Sequence, residues 1–391
     1  LVLQDFYPYS GMRKNIRGED DMKALFSISA INTLELKNRF VRSATWEGMA
    51  DEEGRPRPQY LETMTALARG GVGLIITGHA FVSPEGRATP WQLAIDRDDC
   101  LTGLREITAA VHAAGGKIAV QLAHAGFFAA AGISGRDRLV VSRQESQDPS
   151  PQKEIDKRDV QELIGAYAEA AGRARKAGFD GVQLHMAHGY LLSQFLSPAF
   201  NRRNDAYGGD IYKRSRIHRD ICGAIRDTVG KDFPLLIKLN AQDFIENGLT
   251  VPEAATAARL MVEAGVDAVE LSGGMIISGR LSPSRTKINA PEKEAYFREE
   301  ARWLRETVPV PLLLVGGNRS YEVAAQLVAD GVADYISLSR PLIREPELIR
   351  RWQEGDRKPA ACISDNLCFA PVFEGKGIYC VTRERELAKG K

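Results

Sequence analysis

The chain has 391 residues, and its 52 Lys and Arg nearly cancel its 51 Asp and Glu. That balance leaves no bulk field to favour nucleic acid or an anionic membrane, and no apolar run reaches the roughly 18–20 residues of a membrane span. With 44% hydrophobic residues and five cysteines, three of them crowded near the end, the chain reads as a globular protein of a reducing cytoplasm, not a disulfide-framed secreted one.

Residues 1–21 show no clear period, Leu1 is not an initiator, and Met22-Lys23-Ala24-Leu25-Phe26 has the look of a natural start. The first 21 residues are therefore expected to be an extension without fixed structure, and no basic region followed by an apolar block marks a secretory signal. From there, eight short β-rich apolar runs follow, at 40–44, 72–78, 117–123, 181–187, 235–240, 268–274, 311–317 and 335–340. Longer amphipathic stretches separate them, among them 101–114, 160–177, 212–229, 252–264 and 321–330. Strands alternating with helices imply a parallel sheet. Eight such units with near-continuous apolar strands imply an α/β fold of the TIM (β/α)8 barrel type. A doubly wound open sheet explains fewer strands, and no G-x-G-x-x-G follows the first run. No linker divides residues 22–360, which reads as one domain, with 361–391 as a Cys-containing tail. Two connections, 124–156 and 275–291, are long; both follow strand ends, where such barrels build their active sites, and are candidate substrate loops.

The chemistry collects at those strand ends. On the fourth strand, alternation puts Gln183, His185 and Ala187 on one face. His185 stands at the strand's end, and His188 and Tyr190 follow at the turn beside Gly189. Two imidazoles and a phenol within six residues can hold a carbonyl oxygen and supply a proton near neutral pH. Other ends are polar and Gly-rich: Arg42-Ser43-Ala44-Thr45-Trp46, Thr77-Gly78-His79, Gln121 with His124, Lys238 with Asn240, and Ser272-Gly273-Gly274. After strands seven and eight, small residues let backbone N–H groups approach a phosphate. Gly316, Gly317 and Asn318 could cradle it from one side, Ser339 and Arg340 from the other. Lys238 in a barrel interior suits a Schiff-base nucleophile, a cation beside an anionic cofactor, or a structural residue. Gln121 offers both a donor and an acceptor to a heterocycle edge.

The stretch HMAHGYLLSQFLSP followed by NRRNDAYGG, residues 185–209, resembles the signature of the Old Yellow Enzyme family of FMN-dependent oxidoreductases. Further blocks are similar: Leu36-Lys37-Asn38-Arg39-Phe40, Gly70-Gly71-Val72-Gly73-Leu74-Ile75, Gln121-Leu122-Ala123-His124-Ala125-Gly126 and Leu338-Ser339-Arg340-Pro341-Leu342. The resemblance covers most of residues 25–355. It implies FMN as cofactor and NAD(P)H as reductant, with hydride passing from flavin N5 to an activated alkene. His185 and His188 would hold the substrate's carbonyl or nitro oxygen, and Tyr190 would donate the proton. Flavin contacts would fall on Ala44, Thr45, Gly78, Gln121, Lys238, Gly316, Gly317, Ser339 and Arg340. Three positions depart from the family: Lys238 stands where many members carry Arg, Ser339 where Gly is commoner, and Trp46 where a small residue tunes the flavin. A rival within the family is a dehydrogenase that oxidises an amine or similar substrate. Outside it, the alternative is a phosphate-binding barrel lyase with Lys238 as Schiff base. The partner is a small-molecule substrate in either case, with a homo-oligomer as a further expectation.

The tail reads Cys362-Ile363-Ser364-Asp365-Asn366-Leu367-Cys368, then Cys380. It is similar to the iron–sulfur segment of the 2,4-dienoyl-CoA reductase and trimethylamine dehydrogenase branch, which begins C-x-x-C-N and holds a [4Fe–4S] cluster on four cysteines. Asp365 stands where the second Cys is expected, and a hard oxygen is a poorer match to a soft cluster. Cys362, Asp365, Cys368 and Cys380 are thus the candidate metal ligands, for a cluster, for zinc or for neither. A redox protein partner follows only if the cluster is present. Relatives with this segment carry a large second half that binds ADP or a pyridine nucleotide; this chain stops at Lys391, so that half is expected to be missing from it.

Overall fold

The computed structural model describes residues 24–130, 132–146 and 148–389. The expected extension at 1–21 lies outside the described residues. Eight strands close into one barrel: β1 (Phe40–Arg42), β2 (Leu74–Phe81), β3 (Ile118–Ala123), β4 (Gly181–Met186), β5 (Leu235–Asn240), β6 (Ala268–Ser272), β7 (Leu312–Leu314) and β8 (Tyr335–Leu338). Each pairs in parallel with its neighbour in sequence, and β8 closes on β1 through Ile336 opposite Phe40. The TIM barrel read from the sequence is the fold. All eight apolar runs become strands because parallel strands in a barrel are covered on both faces.

The ends differ from the sequence reading where function takes over. β1 stops at Arg42 and β7 at Leu314, so Ser43–Trp46 and Val315–Asn318 turn out over the mouth. β8 stops at Leu338, because Arg340 opens a short helix, Arg340–Arg344.

Helices form the outer layer: α1 (Pro58–Arg69), α2 (Leu101–Ala113), α3 (Lys157–Lys176), α4 (Arg216–Val229), α5 (Val251–Glu263), α6 (Arg298–Arg305) and α7 (Tyr321–Ala329). In α4, Ile217, Ile221, Ile225 and Val229 recur at helical spacing and are all buried, the stripe that holds it to the sheet. α3 starts three residues earlier than its periodicity suggests. Asp156 accepts from the backbone N–H groups of Arg158 and Asp159, and the Asp159 carboxylate reaches back to the Asp156 N–H. Such a box contributes about 1 kcal/mol to fixing the start of a helix.

Inside, the barrel is filled in layers. Val41, Leu74, Ile76, Ala119, Leu236, Ala268, Leu313 and Tyr335 make an apolar plug. Ile31, Leu34 and Leu36, from a short hairpin of Ser29–Ile31 with Leu34–Leu36, seal its lower end. Above the plug the inward positions turn polar, and the cavity begins there. No helix among the described residues is long and apolar enough to cross a membrane.

Candidate active site

At the top of β4 the pleat aims Gln183 and His185 inward. Gln183 lies opposite Gln121 of β3, and His185 opposite Lys238 of β5. The chain then reverses. His188 takes φ 64°, a left-handed conformation that a non-glycine residue holds at a cost of about 1 kcal/mol. It is secured from two sides: its N–H donates to Asn240 Oδ1 at 3.1 Å, and its Nε2 lies 2.8 Å from Ser272 Oγ. Gly189 follows at φ 88°, where an added Cβ would meet the Phe128 ring at 2.9 Å. The turn sets Tyr190 at the head of a one-turn helix, Leu191–Leu196, with its ring over His185 at 4.7 Å between centroids. The rings of His185 and His188 meet edge to face at 5.1 Å. The three residues singled out in the sequence are therefore one cluster.

A fourth ring joins them. His79 of β2 lies 5.1 Å from Tyr190 and stacks toward His185 at 6.3 Å, with its Nε2 3.1 Å from the Tyr190 hydroxyl. Sequence reasoning placed His79 among the polar strand ends and gave it no part. The available signal was Gly78, since a glycine within a strand marks a bulge.

Burial sets the charge states. It drives His185 and His188 well below the ordinary imidazole range, and the Lys238 ammonium and neighbouring imidazoles add to the shift. His79 is held near 4 by burial. All three rings are neutral at pH 7, so each offers one N–H without a counter-charge. Burial raises the Tyr190 phenol, which keeps its proton.

Below the rings runs a buried polar chain. Gln121 Nε2 donates to Gln183 Oε1 at 2.8 Å, and Gln183 Nε2 donates to Glu270 Oε2 at 2.8 Å. Lys238 Nζ sits 3.3 Å from the same carboxylate oxygen and donates to Ser43 Oγ at 2.7 Å. Burial lowers the Lys238 amine, against the pull of Glu270. Burial would raise the Glu270 carboxyl, but Lys238 and side-chain hydrogen bonds outweigh it and leave the group below its usual value.

On the opposite side lies the Gly-rich cradle. Gly316 and Gly317 take φ 139° and 79°, and a Cβ on Gly317 would meet the Tyr296 ring at 2.8 Å. Asn318 Nδ2 ties β7 to β8 by donating to Leu314 O at 2.8 Å and Ser337 O at 3.2 Å. Ser339 Oγ lies 2.7 Å from Thr45 Oγ1, and Arg340 donates to Asn366 Oδ1 at 2.6 Å.

These groups share one cavity of about 600 Å³. Ala44, Thr45, Gln121, His185, His188, Tyr190, Lys238, Gly317, Ser339 and Arg340 line it. Gly78 and Gly316 stand behind its wall: a Cβ on Gly78 would strike Glu47 Oε2 at 2.1 Å, and one on Gly316 the Phe297 ring at 3.0 Å. Both long connections reach the cavity, the first through Phe128, the second through Ile276 and Ser282–Ser284. Trp46 lines it as well, its indole meeting Phe373 edge on at 5.1 Å.

The donor set suits FMN. Lys238 and Arg340 bring positive charge, Gln121 and Lys238 polar edges, and the Gly-Gly turn backbone N–H groups of the kind that would suit a phosphate. Buried polar atoms without a protein partner collect in this wall: Trp46 Nε1, His185 Nδ1, His79 Nδ1 and Asn318 Oδ1.

The tail does not confirm the metal expectation. Among the described residues no group of three or more His, Cys, Asp or Glu side chains is disposed to hold a metal ion. Cys362, Asp365, Cys368 and Cys380 nonetheless sit close enough together for their charges to interact. Asp365 accepts from the Thr382 hydroxyl and the Leu367 N–H. The Cys380 sulfur takes the Arg383 N–H at 3.4 Å, and burial pushes the Cys368 thiol up to about 12.

Comparison with known proteins gives consistent matches. The pattern of the NADH:flavin oxidoreductase / NADH oxidase family matches residues 24–358. An NADH oxidase of Thermoanaerobacter brockii is 36% identical over 371 residues, covering 91% of this chain and 55% of that protein. An NADPH dehydrogenase of Halalkalibacterium halodurans is 34% identical over 323 residues, covering 82% of this chain and 91% of its own length. Among solved structures, an Old Yellow Enzyme homologue from Zymomonas mobilis superposes with a TM-score of 0.75 at 26% identity, covering 92% of this chain and 98% of that one. The chain spans about half the length of the first curated relatives it matches.

Proposed function

The chain belongs to the NADH:flavin oxidoreductase / NADH oxidase family, and on that premise we propose that it is an FMN enzyme that reduces activated alkenes, α,β-unsaturated carbonyl or nitro compounds, at the expense of NAD(P)H. The observation that carries this reading is the convergence of His185, His188 and Tyr190 over the Gln121–Lys238 floor in one cavity. Bound FMN would supply the hydride chemistry that links NAD(P)H to the β-carbon of the alkene.

The protein's part is binding, polarisation and protonation. Gln121 and Lys238 would hold the pyrimidine edge, where the ammonium would favour added negative charge. Gly317, Ser339 and Arg340 would hold the phosphate, Ala44 and Thr45 would lie against the ring system, and Gly78 and Gly316 shape the wall behind. His185 and His188 donate N–H groups to the substrate's carbonyl or nitro oxygen. Their neutrality matters, because a neutral donor strengthens its bond as the oxygen gains charge and does not give its proton away. Tyr190 donates its phenol proton to the α-carbon. Its raised pKa keeps that proton available through neutral pH.

Trp46, Phe128, Ile276 and Phe373 make the outer wall apolar, which favours a substrate with a sizeable apolar body. Lys238 is committed to Glu270 and Ser43, so it does not stand as a free amine nucleophile. All five cysteines are free thiols, in keeping with a reducing cytoplasm.

The test is anaerobic. Protein reconstituted with FMN is reduced with NADH or NADPH and then mixed with 2-cyclohexenone. The expected result is reoxidation of the flavin with formation of cyclohexanone. Reoxidation by ferricyanide alone, with the enone untouched, would leave the family and remove the ene-reductase.

A further inference from the structure

We propose that His79 is the positioning residue for Tyr190: its Nε2–H holds the phenol oxygen, so that the phenol proton is left to point at the substrate. This rests on the reading of Tyr190 as proton donor and adds a residue to it.

The argument begins with the strand. Along β2 the residues facing the barrel interior alternate, and Ile76 belongs to the interior plug. Strict alternation would next turn Gly78 and Ala80 inward and His79 outward. The register shows otherwise: Ile76 pairs with Ala119 and His79 with Gln121, three residues of β2 against two of β3. The extra residue is a β-bulge, which re-aims the side chains beyond it. His79 thereby joins the face that carries Gln121. Every other barrel-strand residue is buried, and His79 alone keeps partial exposure, toward the cavity it lines.

The bulge is pinned. The Gly78 N–H donates to Glu47 Oε2 at 2.9 Å, and a Cβ at 78 would strike that oxygen. Gln92 Nε2 donates to the His79 carbonyl at 3.2 Å. The imidazole is thus fixed with Nε2 3.1 Å from the Tyr190 hydroxyl.

Chemistry selects the direction of that bond. With a bare Nε2, the imidazole would draw the phenol proton to itself and away from the substrate. With Nε2–H, the ring donates to the phenol oxygen and leaves a bare Nδ1 in the wall, where no protein partner meets it. In the step itself the Tyr190 O–H bond breaks and the C–H bond at the α-carbon forms. The electron pair stays on the phenol oxygen, and the His79 N–H, which remains on His79, stabilises it. Water entering the emptied cavity returns the proton. The titratable groups facing Tyr190 are His79 from β2 and His185 and His188 from the β4 end. Lys238 of β5 and its partner Glu270 of β6 lie one layer below.

The experiment compares His79→Phe, His79→Asn and His79→Gln with Tyr190→Phe in both half-reactions. Phe keeps the ring, Asn keeps polarity but falls short of the hydroxyl, and Gln can restore an N–H donor. With His79→Phe and His79→Asn, the enone step should fall roughly 10- to 100-fold more than flavin reduction by NAD(P)H. His79→Gln should recover most of the loss. In His79→Phe the alkaline limb of the enone step should move to higher pH, because the phenolate has lost its donor. Adding Tyr190→Phe to His79→Phe should cost little more than Tyr190→Phe alone.

A second readout needs no flavin. The chain has six histidines, so the imidazole 15N spectrum of the flavin-free protein is tractable. Tyr190→Phe should shift the His79 Nε2 resonance. Equal slowing of both half-reactions, full additivity with Tyr190→Phe, or an unmoved His79 resonance would each overturn the proposal. If Tyr190→Phe itself left the enone step unchanged, the failure would lie in the assignment of the proton donor, a separate result.

Discussion

Replacing Glu270 with Gln probes the floor of the site. Glu270 and Lys238 lie opposite each other on neighbouring strands, at 0% and 2% exposure, with Nζ and Oε2 3.3 Å apart. At an effective dielectric constant of about 20, two unit charges at that distance attract by about 5 kcal/mol. Removing one partner leaves the other buried and uncompensated, which typically costs about 3–5 kcal/mol. Gln keeps the shape and can still accept from Gln183, so the lower end, about 3 kcal/mol, is the expected loss, read as a fall in the urea midpoint. The apolar double replacement Lys238→Met with Glu270→Leu should lie within about 1 kcal/mol of the native protein, since no charge is then stranded. A pH effect follows with a definite sign. Burial already lowers the Lys238 amine and Glu270 holds it up, so Glu270→Gln should let it lose its proton at lower pH. Flavin should then be released on alkalinisation earlier than from the native protein. A variant losing under about 1 kcal/mol, with flavin retention unchanged between about pH 7 and 10, would refute the argument that this pair is a coupled charge site.

His185→Ala combined with His188→Ala should weaken the binding of phenols, as oxyanion probes, by roughly 100-fold while FMN stays bound; absorbance titration of the holoprotein reads both, and unchanged phenol affinity would reject the pair. Glu47 is buried against Arg42, and burial raises its carboxyl to about 7. Its native form therefore binds a proton that the unfolded chain gives up near pH 4.5. The associated stability is full below about pH 4.5 and is lost as pH rises through 7, by about 3 kcal/mol in all. Glu47→Gln should flatten that slope in urea midpoints measured across the window. Phe373 is 70% exposed on the cavity rim; Phe373→Ala should raise KM about 5- to 10-fold for a bulky apolar enone and leave 2-cyclohexenone unaffected.

The barrel was legible because its strands are buried on both faces and appear as unbroken apolar runs, each followed by an amphipathic stretch. The cluster of His185, His188 and Tyr190 was legible because a strand end and a glycine turn are local features. The features that stayed hidden depend on contacts far apart in sequence. His79 reads as outward-facing until the bulge is known, and that bulge is held by Glu47, 31 residues away from Gly78. Glu270 sits in an ordinary apolar run, and only the barrel register brings it opposite Lys238. The tail is a different case. Its local spacing resembles a ligand motif, whereas Asp365 turns to Thr382 and Leu367.

That tail has another use, and its contacts account for the Trp46 departure. Asn366, in a left-handed conformation at φ 64°, accepts from Arg340 at 2.6 Å and donates from Nδ2 to Ser284 O at 2.7 Å. One side chain thus ties the cradle after β8 to the loop after β6. The Ile378 N–H donates to Glu47 O at 2.8 Å, joining the tail to the segment that carries Trp46 and pins the β2 bulge. Phe373 then closes on the Trp46 indole, and Ser364, Phe369 and Phe373 complete the cavity wall. Trp46 thus stands among the residues that line the cavity. Here its edge is held by Phe373 and it serves as wall. The wall of the cavity at the barrel mouth therefore includes a segment with no barrel strand in it.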